Sequence, residues 1–203
     1  MSSSNEVPER EELAQRICAV KDGRERAFLA ATYLTAGRIN EVVQCRSRLK
    51  QHTVMNGEGE LELEEFYDYT RTPGIRPNDI EWKVHDGKEV MVITLLNQKN
   101  RVHRTKELPI MVALERQLVE AVRVIADAQK DKDAPMFPFS YVTGWKIARR
   151  CLDMHPHFLR HCRLTHLSNP PYRYDHVRLM KFAGWTSTQQ ADRYIHTRWS
   201  DFV

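Results

Sequence analysis

Seven consecutive residues, Val90-Met-Val-Ile-Thr-Leu-Leu96, form the most β-prone run in this 203-residue chain. Asp86-Gly87 stands just ahead of it, a pair suited to the positive φ angles of a tight hairpin. Ile80–Val84 and Glu89–Leu96 are therefore expected to pair antiparallel. The polar segment from Asn97 to Arg104 turns the chain again, and Arg104–Ile110 returns as a third strand. Elsewhere the apolar positions recur mainly at helical spacing. The fold class that follows is α+β: a mostly helical domain carrying a small three-stranded antiparallel sheet.

The helical segments can be placed from periodicity and punctuation. Residues 1–7 form a polar tail. Pro8–Val20 reads as a helix, with acids early and Leu13, Ile17 and Val20 on one face. Phe28, Leu29, Ala31, Thr32 and Leu34 predict a buried helix stopping near Gly37, and a second helix begins at Asn40 with Arg38 at its entrance. Lys50–Pro77 has no clear period and reads as an inserted loop, six acids and no base lying between Glu58 and Asp68. Met111–Lys130 is a long amphipathic helix, Asp131–Pro138 a linker, and Tyr141–Leu152 another helix whose Lys146, Arg149 and Arg150 can face phosphates. A helix follows His155-Pro156, packing Leu159, Leu164 and Leu167 inward, until Asn169-Pro170-Pro171 breaks it. The next starts near Asp175, buries Val177, Met180 and Ala183, and ends on Gly184; Tyr194 is expected on a last short helix.

Composition excludes several classes. At 41% hydrophobic and 29% charged residues the chain is ordinary for a globular domain, and no apolar run is long enough to span a bilayer. The first ten residues lack a signal pattern, so a cytoplasmic, DNA-associated location is expected. Cys18, Cys45, Cys151 and Cys162 form no CxxC pair and read as reduced thiols. A net charge of +4 hides an asymmetry: from Ser140 onward ten Lys or Arg stand against four acids, with six of the nine histidines. A phosphate backbone would suit that basic third, though a solvated charged face explains the charge equally well.

Between His157 and His196 lie Arg160, His161, Trp185, Arg193 and Tyr194. A guanidinium matches phosphate oxygens two at a time, imidazole moves a proton near neutrality, and a phenol can be a covalent nucleophile. These groups suffice for phosphoryl transfer without a metal or other cofactor.

The order His157-x-x-Arg160-His161, then Gly184-Trp185, then Tyr194 nine residues beyond the Trp, resembles the second signature box of the tyrosine recombinases, the phage integrase family. Thr35-Ala-Gly37-Arg38-Ile-Asn-Glu41 resembles its first box, and the likeness runs from about Pro8 to His196. The resemblance implies a catalytic set of Arg38, Lys99, His157, Arg160, Trp185 and the nucleophile Tyr194, with Lys146, Arg149, Arg150 and Arg193 binding DNA. Lys99 corresponds to a hairpin lysine that protonates the leaving 5′ oxygen, and Lys106, inside the returning strand, is its rival. Trp185 stands where many members have His. Glu41 resembles an acidic neighbour of the first arginine. The implied activity is site-specific cleavage and rejoining of double-stranded DNA through a 3′-phosphotyrosine, independent of metal and ATP, in a synaptic tetramer. One catalytic domain over residues 8–203 is expected, with an insertion at about 50–78 and without the N-terminal core-binding domain of most members.

Three rival readings remain: a zinc site among Cys151, His155, His157, His161, Cys162 and His166, whose spacing matches no finger pattern; a catalytically silent DNA-binding module; and a topoisomerase of type IB, which uses the same residue types.

Overall fold

The computed structural model describes residues 6–43, 49–67, 74–97 and 104–195. Its centre is helix α2 (Gly23–Leu34), in which every residue from Ala27 to Leu34 is buried. A helix apolar on all sides must be surrounded. It is packed by α1 (Arg10–Cys18), α4 (Val112–Ala128), α5 (Tyr141–Leu152) and α6 (Pro156–Ser168), and it leads into the single turn α3 (Ile39–Val42). The local signals explain the boundaries. Asp22 caps α2 by accepting the Glu25 N–H at 2.8 Å, Ser140 caps α5 through Thr143, and Asp175 caps α7 (His176–Ala183) through Arg178. Gly184 ends α7 at φ 69°, the left-handed conformation glycine adopts without penalty.

The three expected strands are present as β3 (Ile80–His85), β4 (Lys88–Asn97) and β5 (Arg104–Met111), antiparallel with β4 in the middle. (Strands β1, Leu49–Met55, and β2, Leu61–Tyr67, precede them.) Asp86 and Gly87 both have positive φ, 49° and 71°, as the hairpin turn requires. Met91, Ile93 and Leu95 of β4 are buried, and on β5 the alternation sends Lys106, Leu108 and Ile110 inward together. The sheet packs through β4 against α3 and α4, and β5 meets α7.

Four expectations change. The segment read as a loop after residue 50 contains a hairpin, β1 (Leu49–Met55) paired antiparallel with β2 (Leu61–Tyr67), separate from the main sheet. Glu is depleted in strands, which hid it, yet Leu61-Glu-Leu63-Glu alternates with the period of two that pairing needs. The Asn56 side chain closes its turn, accepting the N–H groups of Glu58 and Glu60. On α7 the buried set is Leu179, Phe182 and Ala183, one stripe at helical spacing, while Val177 is exposed. Tyr194 is not helical: a 3₁₀ turn at Thr188–Gln190 is followed by turn residues that carry it. Finally, Val7 packs on the core, so the tail is shorter than expected; residues 1–5 lie outside those described.

Candidate active site

The first site residue is set by the turn after α2. Thr35 Oγ1 donates to the Ala31 carbonyl at 2.6 Å and accepts the Gly37 N–H at 3.1 Å. Ala36 takes a positive φ of 44°, and a Cβ on Gly37 would lie 2.7 Å from Val42 Cγ2, so only glycine fits there. Arg38 then opens α3. Its backbone N–H and its guanidinium both donate to the Glu41 carboxylate, each at 2.9 Å. Glu41 has no exposed side-chain surface, whereas the Arg38 side chain is one-third exposed. Gly144 of α5 lets that helix approach this turn, since a Cβ there would meet Ile39 Cδ1 at 2.9 Å.

Helix α6 supplies the second group. His155 caps it, accepting the Phe158 N–H at 3.0 Å, and stacks on His157 with ring centroids 6.4 Å apart. Arg160, one turn on, is 4% exposed. It donates to the Ala36 carbonyl and, at 2.8 Å, to the Ala183 carbonyl. One guanidinium therefore joins the turn after α2 to the unsatisfied C-terminal end of α7. No carboxylate accepts from it among the described residues. Burial, and then the nearby Arg38, pull its pKa down to about 10, so it stays charged at neutral pH. His157 is also pushed down, by burial first and then by Arg160, which keeps it neutral. Gly37, Arg38, Tyr141, Trp145, His157 and Arg160 line one pocket of about 300 Å³.

The third group lies beside Arg160. Its guanidinium sits 5.9 Å from the Trp185 ring, and Trp185 stacks on Tyr194 at 5.7 Å and 22°. His161, which the sequence offers only within the second box and the rival zinc set, packs on the same Tyr194 ring at 5.2 Å. Tyr194 is 7% exposed. Burial raises its hydroxyl pKa, and Arg193 and Arg160 pull it back.

Of the sequence-derived residues, Arg38, His157 and Arg160 share the pocket, while Trp185 and Tyr194 adjoin Arg160 without lining it. Lys99 lies outside the described residues. Lys146, Arg149, Arg150 and Arg193 are exposed, but Arg150 pairs with Glu25 and Arg149 lies 3.4 Å from Asp153. Lys106, the rival to Lys99, lies inside the fold. It is 8% exposed, stands 3.6 Å from Glu41, and its pKa falls to about 8, chiefly through burial. The available signal was its phase: it shares an inward face with Leu108 and Ile110. Among the described residues no group of three or more His, Cys, Asp or Glu is gathered to hold a metal. No helix among them is long and apolar enough to cross a membrane.

No protein-family model matches the sequence, and no curated protein matches it. Solved structures do. The chain is similar to the XerA recombinase, at 16% identity and a TM-score of 0.59, over 99% of this chain and 64% of that one. It is similar to the XerH site-specific recombinase bound to its difH substrate, at 15% identity and 0.55, over 95% and 49%. The Tn1549 transposon integrase with circular-intermediate DNA matches at 12% and 0.53, over 98% and 65%. The fold is that of the tyrosine recombinases. The chain spans from about half to just under two thirds of the length of these proteins.

Proposed function

We propose that this chain cuts and rejoins double-stranded DNA as the catalytic part of a site-specific tyrosine recombinase. The observation that carries the reading is Arg160: a buried, charged guanidinium with no carboxylate partner among the described residues, opening with Arg38 and His157 onto one pocket. A site with unspent positive charge is built for an anion, and a phosphodiester offers the two oxygens a guanidinium fork fits. The DNA complexes among the similar structures support the same substrate.

In this mechanism Arg38 and Arg160 hold the non-bridging oxygens and offset the charge that builds in the transition state. His157, neutral, donates a further hydrogen bond, and the Trp185 indole N–H takes the place of a second histidine. The Tyr194 oxygen attacks phosphorus; as that bond forms, the P–O5′ bond breaks. The phenolic proton passes to a neutral imidazole, His161 being the one packed on the ring, and Lys99 supplies a proton to the departing 5′ oxygen. A 5′ hydroxyl from another strand reverses these steps, so neither metal nor ATP is required. Strand exchange between two sites would need protomers to assemble, as a synaptic tetramer. Lys146, Arg149, Arg150 and Arg193 would meet the backbone.

The shelter around Tyr194 favours one second reading, a DNA-binding module whose nucleophile is held back. A duplex with a bridging phosphorothiolate, which traps the covalent state, separates the two. Without added metal, wild type should give an SDS-stable adduct and Tyr194→Phe none. Tight duplex binding with no adduct in wild type would favour the binding module.

A further inference from the structure

Lys106 stands where a strand should place an apolar side chain, and its surroundings explain why a cation is kept there. β5 sends Lys106, Leu108 and Ile110 to the same buried face, opposite Leu95 of β4 in the register. Its ammonium has no hydrogen-bond partner among the described residues, and the Glu41 carboxylate, at 3.6 Å, is its one ion-pair partner among them. Glu41 is the carboxylate that also takes the backbone N–H and the guanidinium of Arg38. Burial alone would raise the Glu41 pKa; Lys106, the Arg38 N–H and the two guanidiniums together hold it below the usual range. Arg38 and Lys106 thus contact one carboxylate, and Arg160 acts on it only from farther off.

A buried carboxylate facing Arg38 alone would hold that guanidinium inward, because breaking a buried pair is costly. Sharing the carboxylate with a second cation weakens that hold. Arg38 can then stay anchored by one nitrogen while the rest of its fork, one-third exposed, faces the pocket. We infer that Lys106 is a positioning residue: by sharing Glu41 from behind, it keeps Arg38 turned toward the phosphate. This rests on the proposed function for its catalytic consequence, but not for the placement of Arg38. Lys106 does not line the pocket, so its action runs through Glu41 rather than through contact with DNA.

The variants are Lys106→Met, Lys106→Arg and the double variant Lys106→Met/Glu41→Gln, which removes both charges and guards against a loss of folding. Adduct formation on an ordinary phosphodiester duplex should fall about a hundredfold in Lys106→Met, the loss typical of one displaced phosphate donor. Duplex affinity should stay within about threefold, since one side chain turns and the surface is unchanged. Lys106→Arg should keep most of the rate, and the added Glu41→Gln should recover about tenfold of the loss, because an uncharged amide no longer draws Arg38 inward. Recovery of Lys106→Met on a phosphorothiolate duplex, whose leaving thiolate needs no proton, with none from Glu41→Gln, would overturn the inference by making Lys106 a direct proton donor. A readout independent of activity is the Arg38 side-chain ¹⁵N signal in NMR, assigned by its loss in Arg38→Lys. It should shift in Lys106→Met and return toward the wild-type position in the double variant. An unchanged signal would sink the inference, even if wild type forms no adduct and the recombinase reading itself fails.

Discussion

Arg160 and Arg163 stand three residues apart on α6, and both are buried, at 4% and 0% exposure. Their surroundings differ in one respect. Arg163 donates to the Glu115 carboxylate, lies 3.5 Å from the Tyr172 hydroxyl, and has its guanidinium about 5 Å from the Tyr33 and Tyr172 rings. Tyr172 donates to the same carboxylate. Burial would lower the Arg163 pKa, yet Glu115 and the tyrosines raise it, and the charge is spent inside the fold. Arg160 is held by two carbonyls, which fix its direction but do not neutralise it, and its pKa moves the opposite way. Burial alone therefore does not separate a structural arginine from a functional one. What separates them is whether a carboxylate accepts from the guanidinium directly: Glu115 does from Arg163, while Glu41 acts on Arg160 only at a distance.

The sharpest way to break this contrast is Arg163→Met. It leaves Glu115 buried without its cation, so unfolding stability should drop by about 3–5 kcal/mol in urea titration. Arg163→Met/Glu115→Leu should recover much of it. A loss under about 1 kcal/mol in the single variant would mean that the pair is not the clamp described. Next comes Arg160→Gln. It should slow adduct formation by about 10²–10³-fold, some 2.7–4 kcal/mol of transition-state stabilisation. Its stability should change less than that of Arg163→Met, because no buried carboxylate is orphaned. The reverse order of stabilities would remove the distinction.

The smallest effect is pH dependence. His166 belongs to the Arg163 end of the helix: Nε2 donates to the Pro8 carbonyl at 2.9 Å and Nδ1 accepts from the Tyr33 hydroxyl at 2.7 Å. That tautomer is neutral, and burial first, then Arg163, lower its pKa below the ordinary 6.5. The unfolded chain therefore takes up protons near pH 6.5 that the folded chain refuses. The stabilising contribution is present above that pH and is lost as pH falls toward the lowered value. His157 and His161 at the Arg160 end shift in the same direction. Tm should fall as pH drops below about 6.5, and the fall should be shallower in His166→Gln. An equal slope in both proteins would assign the effect to other groups.

Much of the fold could be read locally. Asp86-Gly87 announced the hairpin, Asp175 and Gly184 bounded α7, and the stripe of α6 was legible from Leu159, Leu164 and Leu167. The β1–β2 hairpin was not, because its glutamates argued against a strand that cross-strand pairing nevertheless forms. In the candidate site, Arg38, His157, Arg160, Trp185 and Tyr194 were named through the resemblance of their motifs, and the fold puts Arg38, His157 and Arg160 around one pocket.

The amino-acid order by itself determined most of the elements, their caps and turns, and the inventory of groups able to handle a phosphate, since these depend on neighbours within a few residues. Tertiary structure alone decided how those charges are spent. Glu115 meets Arg163 across 48 residues, Ala36 meets Arg160 across 124, and Lys106 reaches Glu41 from a different element. Charge strength in a protein depends on burial and on which partner arrives, and both are set only when distant segments pack together. The same packing sheltered Tyr194 between Trp185 and His161, a placement that its position nine residues after the tryptophan does not reveal.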